Sequence, residues 1–243
     1  MQRTTCLRVQ AFERNTTGRD FVVGDIHGCF GKLQERLDEL RFNPQCDRLF
    51  SVGDLIDRGP MSRDVLNWVD EPWFFPVCGN HERMAIGVVS GRVDHELYAQ
   101  NGGGWFFELP ESRRVTIAEV LSTLPLAIEV DHPSGKVAIV HADVVGMDWP
   151  TFKSLVADAA TGKIGGEAVN SLIAGTVWSR DRINQVSLAG VPGVDWVVTG
   201  HTPARSPFAL GNVVDIDTGA FATGNLTVLD LSALPSVERI RAN

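Results

Sequence analysis

The chain is poor in the features that define several large protein classes. It has only four cysteines, Cys6, Cys29, Cys46 and Cys78, and no two stand in a CxxC pair. That spacing excludes a Cys-based structural zinc site and offers no disulfide framework, so a reducing cytoplasm is the expected setting. No stretch approaches the roughly 18 apolar residues of a membrane span. The opening MQRTTCLRVQAFERNTTGRD lacks the apolar core of a signal peptide. Lysine and arginine number 22 against 30 aspartates and glutamates, a net charge of −8. A phosphate backbone recruits Lys and Arg, so this balance argues against nonspecific nucleic-acid binding. It does not argue against a small phosphate substrate, because bound cations can invert a local charge. There is no internal repeat, no low-complexity tract and no Pro/Gly/Ser linker. With 243 residues, a single domain over 1–243 is expected, residues 1–18 forming an N-terminal strand or ordered arm.

What the chain does have is five short apolar runs, each ending in Asp, Asn or His. They are FVVGDIHG with Asp25 and His27, RLFSVGDLIDRG with Asp54, Asp57 and Arg58, WFFPVCGNHE with Asn80 and His81, KVAIVHAD with His141, and DWVVTGH with His201. Strands that deliver oxygen and imidazole donors to one sheet edge are how a two-metal hydrolase is built. The first half alternates between runs. Strands are expected near 21–23, 49–52 and 73–77, the last at an edge or with an irregular end because of Pro76. Helices are expected over 31–40, where Leu33, Leu37 and Leu40 share a face, and over 62–69 and 82–89. Three consecutive glycines make 101–105 a loop, followed by a helix over 117–124. The second half is β-rich, with strands near 126–130, 137–140, 196–199, 213–216 and 226–231 around a helical insert at 151–174, broken at Gly162, Gly165 and Gly166. The class is α/β.

Each site residue also has an ordinary reading. Asp25 with His27 could be an Asp turn beside a surface histidine, and Asp57-Arg58 before Gly59-Pro60 a surface ion pair. Six ligand-type residues at the ends of apolar strands weigh against coincidence. His95 and His132 follow no Gly-flanked strand end and are assigned to surface or structure. Asp54 has two oxygens and can bridge two ions; Asn80, His141 and His201 can complete the second. A histidine beside a metal-holding Asn80 can protonate a leaving oxygen as general acid if a carboxylate orients its other nitrogen, and Asp57 is the candidate for that task. Arg58 offers a planar fork for phosphate oxygens. Cys29 has no basic neighbour in sequence and is read as a buried structural thiol.

These blocks resemble the PPP family of metal-dependent serine/threonine protein phosphatases, whose signature is GDxHG, GDxxDRG and GNHE. The chain reads Gly24-Asp25-Ile26-His27-Gly28, Gly53-Asp54-Leu55-Ile56-Asp57-Arg58-Gly59 and Gly79-Asn80-His81-Glu82. The compact bacterial and phage branch, of the bacteriophage lambda phosphatase type, is similar also in NGGGWFF, VHAD, WSRDRI, GHTP and DTGAFATGNLTV. The resemblance implies a metallophosphoesterase fold, a central β-sandwich of two mixed sheets flanked by helices. It implies two divalent metal ions, Mn(II) in that branch with Fe or Zn as alternatives. Asp25, His27 and Asp54 would hold one ion, and Asp54, Asn80, His141 and His201 the other. His81 would be the acid with Asp57 behind it, and Arg58, Arg180 and Asn80 would meet the phosphate. On composition alone Arg182 and Arg205 serve as well as Arg180. The implied reaction is direct attack of a metal-bridging water on phosphoserine or phosphothreonine, with phosphotyrosine and phosphohistidine as further substrates. The expected partners are phosphorylated proteins, met by a monomer. A symmetrical diadenosine tetraphosphate hydrolase is the nearest rival, sharing GDIHGC and Asp-Thr-Gly. Those enzymes tend to lack the Asp of the DRG block and to carry Asp in place of Glu82. A non-catalytic metal-binding scaffold is the alternative of another class, disfavoured because no ligand and no acid is missing.

Overall fold

The computed structural model describes residues 6–240. Ten strands form two mixed sheets. In chain order they are β1 Val9–Phe12, β2 Asp20–Val23, β3 Arg48–Ser51, β4 Phe74–Pro76, β5 Ala127–His132, β6 Gly135–Val140, β7 Trp196–Thr199, β8 Phe208–Leu210, β9 Val213–Asp215 and β10 Val228–Asp230. One sheet has the order β1-β5-β6-β7-β9-β8 and the other β10-β2-β3-β4. Within them β2, β3 and β4 run parallel to one another, as do β6, β7 and β9.

Alternation along each strand explains why the sheets stack, since successive side chains leave on opposite faces. Val22, Phe50 and Val52 from one sheet meet Val137, Ile139, Val198 and Val214 from the other in one core between them. The intervening residues Phe21, Val23 and Leu49 turn outward onto α1 Phe30–Glu39 and its neighbours. Ala138, Val140 and Val197 turn the other way. They are covered by Trp149, Phe152 and Val156 of α7 Trp149–Ala160 and Leu172 and Ile173 of α8 Glu167–Trp178. The result is helix, sheet, sheet, helix. Earlier helices are α2 Val65–Val69, α3 Asn80–Val89, α4 His95–Tyr98, α5 Gly104–Phe107 and α6 Glu111–Leu121; α9 Asp181–Asn184 and α10 Ala220–Thr223 follow α8.

The expected α/β sandwich is present, and β4 with Pro76 is an edge strand as expected. Val9–Phe12 pairs with β5, so part of the N-terminal stretch is a strand; residues 1–5 of that stretch lie outside the described residues. The helix expected over 62–69 begins with a 3-10 turn at Ser62–Asp64, and α6 starts six residues earlier than expected. Strand β8 was not anticipated, being three residues long between a proline and a glycine. The glycine run 101–105 is not a loop. A helical path runs from His95 to Phe107, with a π-helical turn over Ala99–Gly103. Only Gly102 leaves helical geometry, at φ 100°.

Candidate active site

All five ligand-bearing runs end on one side of the sandwich, at the carboxyl ends of β2, β3, β4, β6 and β7. This is where parallel strands of open sheets present functional groups. The turns after the strands are tight and conformationally costly. Among the described residues nine non-glycines have positive φ, and five are site residues: His27 (44°), Asp54 (50°), Asp57 (74°), Arg58 (67°) and His201 (72°). Each such residue costs on the order of 1–3 kcal/mol and persists only where its surroundings hold it. Two glycines allow close approach of carboxylates. A Cβ on Gly79 would lie 2.3 Å from Asp54 Oδ1, and one on Gly200 2.1 Å from Asp25 Oδ1.

Asp54 stands at the centre. Its Oδ2 lies 3.6 Å from His27 Nε2 and 3.8 Å from His81 Nε2, while Oδ1 lies 3.5 Å from His141 Nε2. Two clusters of donor atoms therefore share it: His27, Asp54 and His81, and Asp54, His141 and His201, each within 4.8 Å. Separations near 3.5 Å are too long for hydrogen bonds. They suit two donors that each approach one ion at about 2.1 Å. The Nε2 atoms are presented as acceptors, that of His27 meeting the Arg58 guanidinium at 2.6 Å. His27 Nδ1 and His141 Nδ1 sit 2.9 and 2.8 Å from the carbonyls of Ile56 and Val52, which fixes their protons there and leaves Nε2 as an acceptor. His141 Nε2 then faces Asn80 Oδ1 at 2.8 Å, acceptor against acceptor, an arrangement a cation resolves. His201 Nε2 is buried with no partner at all. Burial pushes the His27 and His201 rings down to about 3 and lowers His141, so all three are neutral at physiological pH, as ligands must be. For Asp54, burial works the other way, but attraction to His141, His81 and His27 in their protonated forms, His81 being the one that holds its proton, keeps the carboxyl below its usual range. The residues present fit a pair of divalent ions.

Asp25 is buried beside these groups without joining either cluster. Both its oxygens accept the His201 backbone N–H, at 3.1 Å. Burial, then Asp217 and Asp54, raise it well above the ordinary carboxylate value.

His81 is placed differently from the other rings. It belongs to the first cluster by distance, yet its Nδ1 is 2.7 Å from Asp57 Oδ2. Burial opposes its charge, but Asp54 and Asp57 outweigh this and raise its pKa. Asp57 is fully buried rather than a surface partner of Arg58. Its other oxygen accepts Tyr98 Oη at 2.7 Å and Trp105 Nε1 at 2.8 Å. Neither residue was found from the sequence, since they reach Asp57 across 41 and 48 positions with no local signature. Glu82, the last letter of GNHE, accepts the backbone N–H groups of Asp54, Leu55 and Gly79 and so ties the start of α3 to the Asp54 turn.

A cleft of about 370 Å³ opens over these groups, lined by Arg58, His81, Asn101, Trp178, Arg180 and Phe221 among others. The guanidinium of Arg58 lies 4.7 Å from the Phe221 ring centre and 2.6 Å from His27 Nε2. The structure separates the three arginines left open by composition. Arg180 lines the cleft and reaches the His201 carbonyl at 3.5 Å. Arg182 is tied to Asp143 at 3.0 Å, and Arg205 is exposed. Cys29 is buried and sits 3.6 Å from the His27 carbonyl, its thiol pushed up by burial. His95 is exposed on α4, and His132 is packed at the β5–β6 turn, where Nδ1 accepts the Ser134 N–H.

The calcineurin-like phosphoesterase family matches residues 21–205. The chain is 37% identical over 214 residues to Serine/threonine-protein phosphatase 2 of Escherichia coli strain K12, covering 85% of this chain and 90% of that protein. It is 31% identical over 226 residues to the asymmetrical bis(5'-nucleosyl)-tetraphosphatase PrpE of Halalkalibacterium halodurans, covering 86% and 88%. Among solved structures, the cold-active protein-tyrosine phosphatase of a psychrophilic Shewanella species superposes with a TM-score of 0.60 at 16% identity, covering 93% of this chain and 79% of that one; at that identity it speaks to the fold alone. The chain belongs to the calcineurin-like phosphoesterase family and has that family's metallophosphoesterase fold.

Proposed function

We propose that the chain is a metal-dependent protein phosphatase that hydrolyses phosphoserine and phosphothreonine monoesters. The observation that carries this reading is the His81–Asp57 hydrogen bond standing beside two ligand clusters that share Asp54. Asp25, His27, Asp54, Asn80, His141 and His201 would hold two divalent ions, manganese in this reading. Such a pair supplies Lewis acidity and a water acidic enough to attack phosphorus at neutral pH. The chain's own residues do the rest. Asp57 fixes the His81 ring by Nδ1, which leaves Nε2 on the cleft side to give a proton to the leaving oxygen. Arg58 and Arg180, both in the cleft wall, neutralise charge that grows on the phosphoryl oxygens. The 37% identity to a bacterial serine/threonine phosphatase supports this substrate class. A phosphorylated protein or peptide as partner, a monomeric state, a cytoplasmic setting and kinship with the phage-type branch belong to the same proposal.

A dinucleoside tetraphosphate is the second reading. It is favoured by the relative bearing that activity's name and by Trp178 and Phe221, 43% and 42% exposed at the cleft. Such rings are surfaces on which a base can stack. The deciding experiment measures phosphate release from a phosphoserine/phosphothreonine peptide beside diadenosine tetraphosphate cleavage, with metal-stripped protein titrated with Mn(II). Mn-dependent dephosphorylation with little nucleotide cleavage is expected. The reverse preference overturns the substrate class, and activity indifferent to metal overturns the mechanism.

A further inference from the structure

The carboxylate of Asp57 is fully buried and takes three donors. One oxygen meets His81 Nδ1 at 2.7 Å, and the other accepts both the Tyr98 hydroxyl and the Trp105 indole N–H. Tyr98 and Trp105 flank the π-helical turn on the kinked path from His95 to Phe107, and the kink brings both onto one carboxylate oxygen. The kink presses this path onto the Asp57-Arg58 turn. The Arg58 N–H donates to the Gly102 carbonyl at 3.2 Å, and a Cβ on Gly102 would lie 2.7 Å from Arg58 Cγ. A Cβ on Gly103 would come within 2.4 Å of the Tyr98 ring, so the glycine is what lets the ring lie flat there. The turn it clamps has positive φ at both Asp57 and Arg58 and does not hold its own shape cheaply. A carboxylate held by one oxygen can still rotate about its terminal torsion, which is broad. Two donors converging on the second oxygen remove that freedom.

Resting on the reading of His81 as the acid, we propose that Tyr98 and Trp105 are positioning residues for ester hydrolysis. They fix the plane of Asp57, and through it the direction in which His81 Nε2 presents its proton. In the step they serve, water oxygen bonds to phosphorus as the bond to the ester oxygen breaks. The proton on Nε2 passes to that oxygen, and a proton from the attacking water restores the ring. Ester and water thus give alcohol and inorganic phosphate. Help from an acid matters most when the leaving oxygen is strongly basic. An alkoxide such as that of serine needs the proton; p-nitrophenolate hardly does. A misdirected His81 therefore penalises the two esters unequally, whereas general loosening of the site penalises both alike.

The test compares kcat on a phosphoserine peptide and on p-nitrophenyl phosphate for wild type, Tyr98→Phe, Trp105→Phe and, as a benchmark, His81→Asn, all at saturating Mn(II). Bound metal and melting temperature are recorded for each. An acid of this kind is worth about 10²–10⁴-fold, so loss of one positioning donor should cost about 10-fold or more on the peptide and under about threefold on p-nitrophenyl phosphate. KM and bound metal should stay as in wild type. Tyr98→Phe keeps the buried ring; should it not fold, Trp105→Phe carries the same comparison. Equal losses on both esters, or lost metal, would assign both residues to scaffolding and overturn the proposal. If His81→Asn separates the esters and neither positioning variant does, this inference alone falls. If wild type releases phosphate from neither ester, the reading of the site falls and takes the inference with it.

Discussion

Asp217 shows what the site does to a single carboxyl. It lies in the DTG segment after β9, buried, with Oδ1 accepting the Gly219 N–H at 2.8 Å. Burial raises its pKa to about 6; the Gly219 N–H opposes this, Asp54 adds to it, and Arg58 and Arg180 oppose it. An unfolded aspartate titrates near about 4. Below that pH both states hold the proton and nothing is lost. As pH rises toward and through 6, the unfolded chain ionises freely while the folded chain must ionise a buried group, so stability declines across that window. Asp217→Asn keeps an acceptor for Gly219 and never ionises. In metal-free protein its advantage over wild type should grow between pH 4 and 7 by about 2–3 kcal/mol, at about 1.4 kcal/mol per pKa unit. Denaturant unfolding of the two proteins at several pH values measures it, and the acid sensitivity of the buried histidines cancels in the difference. A flat difference would show that Asp217 is not ionised against burial.

Elements differ in how much of their role the sequence displays. A strand ending in Gly-Asp, or a Gly-Asn-His leading into a helix, is a local signal, because the alternation, the turn and the donor lie within a few residues. The placement of Asp25, His27, Asp54, Asn80, His141 and His201 at strand ends was therefore legible, as was the edge position of β4. The path from His95 to Phe107 was not. Three adjacent glycines usually release the backbone, yet here only Gly102 uses a positive φ, while Gly103 and Gly104 continue helically. Short π turns of this kind are often found at functional sites. What requires each glycine is a close partner that the glycines themselves do not announce, Arg58 far off in sequence for Gly102 and the Tyr98 ring about one turn back for Gly103. Composition alone left Arg180 level with Arg182, and only the family resemblance chose between them, because the Asp143 that engages Arg182 is 39 positions away. Gly102→Ala tests the element directly. A side chain at φ 100° is strained, and its Cβ would also meet Arg58. A cost of about 1–3 kcal/mol is expected, with weaker competitive inhibition by inorganic phosphate as Arg58 is displaced. Unchanged phosphate inhibition would separate the kink from the Arg58 position.

At the scale of the molecule, the candidate metal centre lies on the seam between the sheets. Asp25, Asp54 and Asn80 follow strands of the four-stranded sheet; His141 and His201 follow strands of the six-stranded one. The seam is already stitched by His141 Nδ1 on the Val52 carbonyl and by the His201 N–H on Asp25. Below it the sheets share the apolar core of Val22, Phe50, Val137, Ile139 and Val198. Cations held there would cross-link the sheets at a polar stretch of their contact, and would relieve the repulsion from Asp217 and Asp54 that, after burial, raises the Asp25 pKa. Metal binding is then coupled to the stability of the whole sandwich rather than to a loop. A ligand present at 100 times its Kd adds about 2.7 kcal/mol. For a chain of this size that corresponds to a rise in melting temperature of about 5–11 °C. Chelation should lower the melting temperature by that amount and Mn(II) should restore it. Asp54→Asn, which takes a carboxylate from both clusters at once, should abolish the metal-dependent rise while losing both ions by elemental analysis. A full rise in Asp54→Asn would remove Asp54 from its bridging position. A melting temperature indifferent to metal in wild type would mean that no ion binds the folded chain in preference to the unfolded one, and would overturn the candidate metal centre.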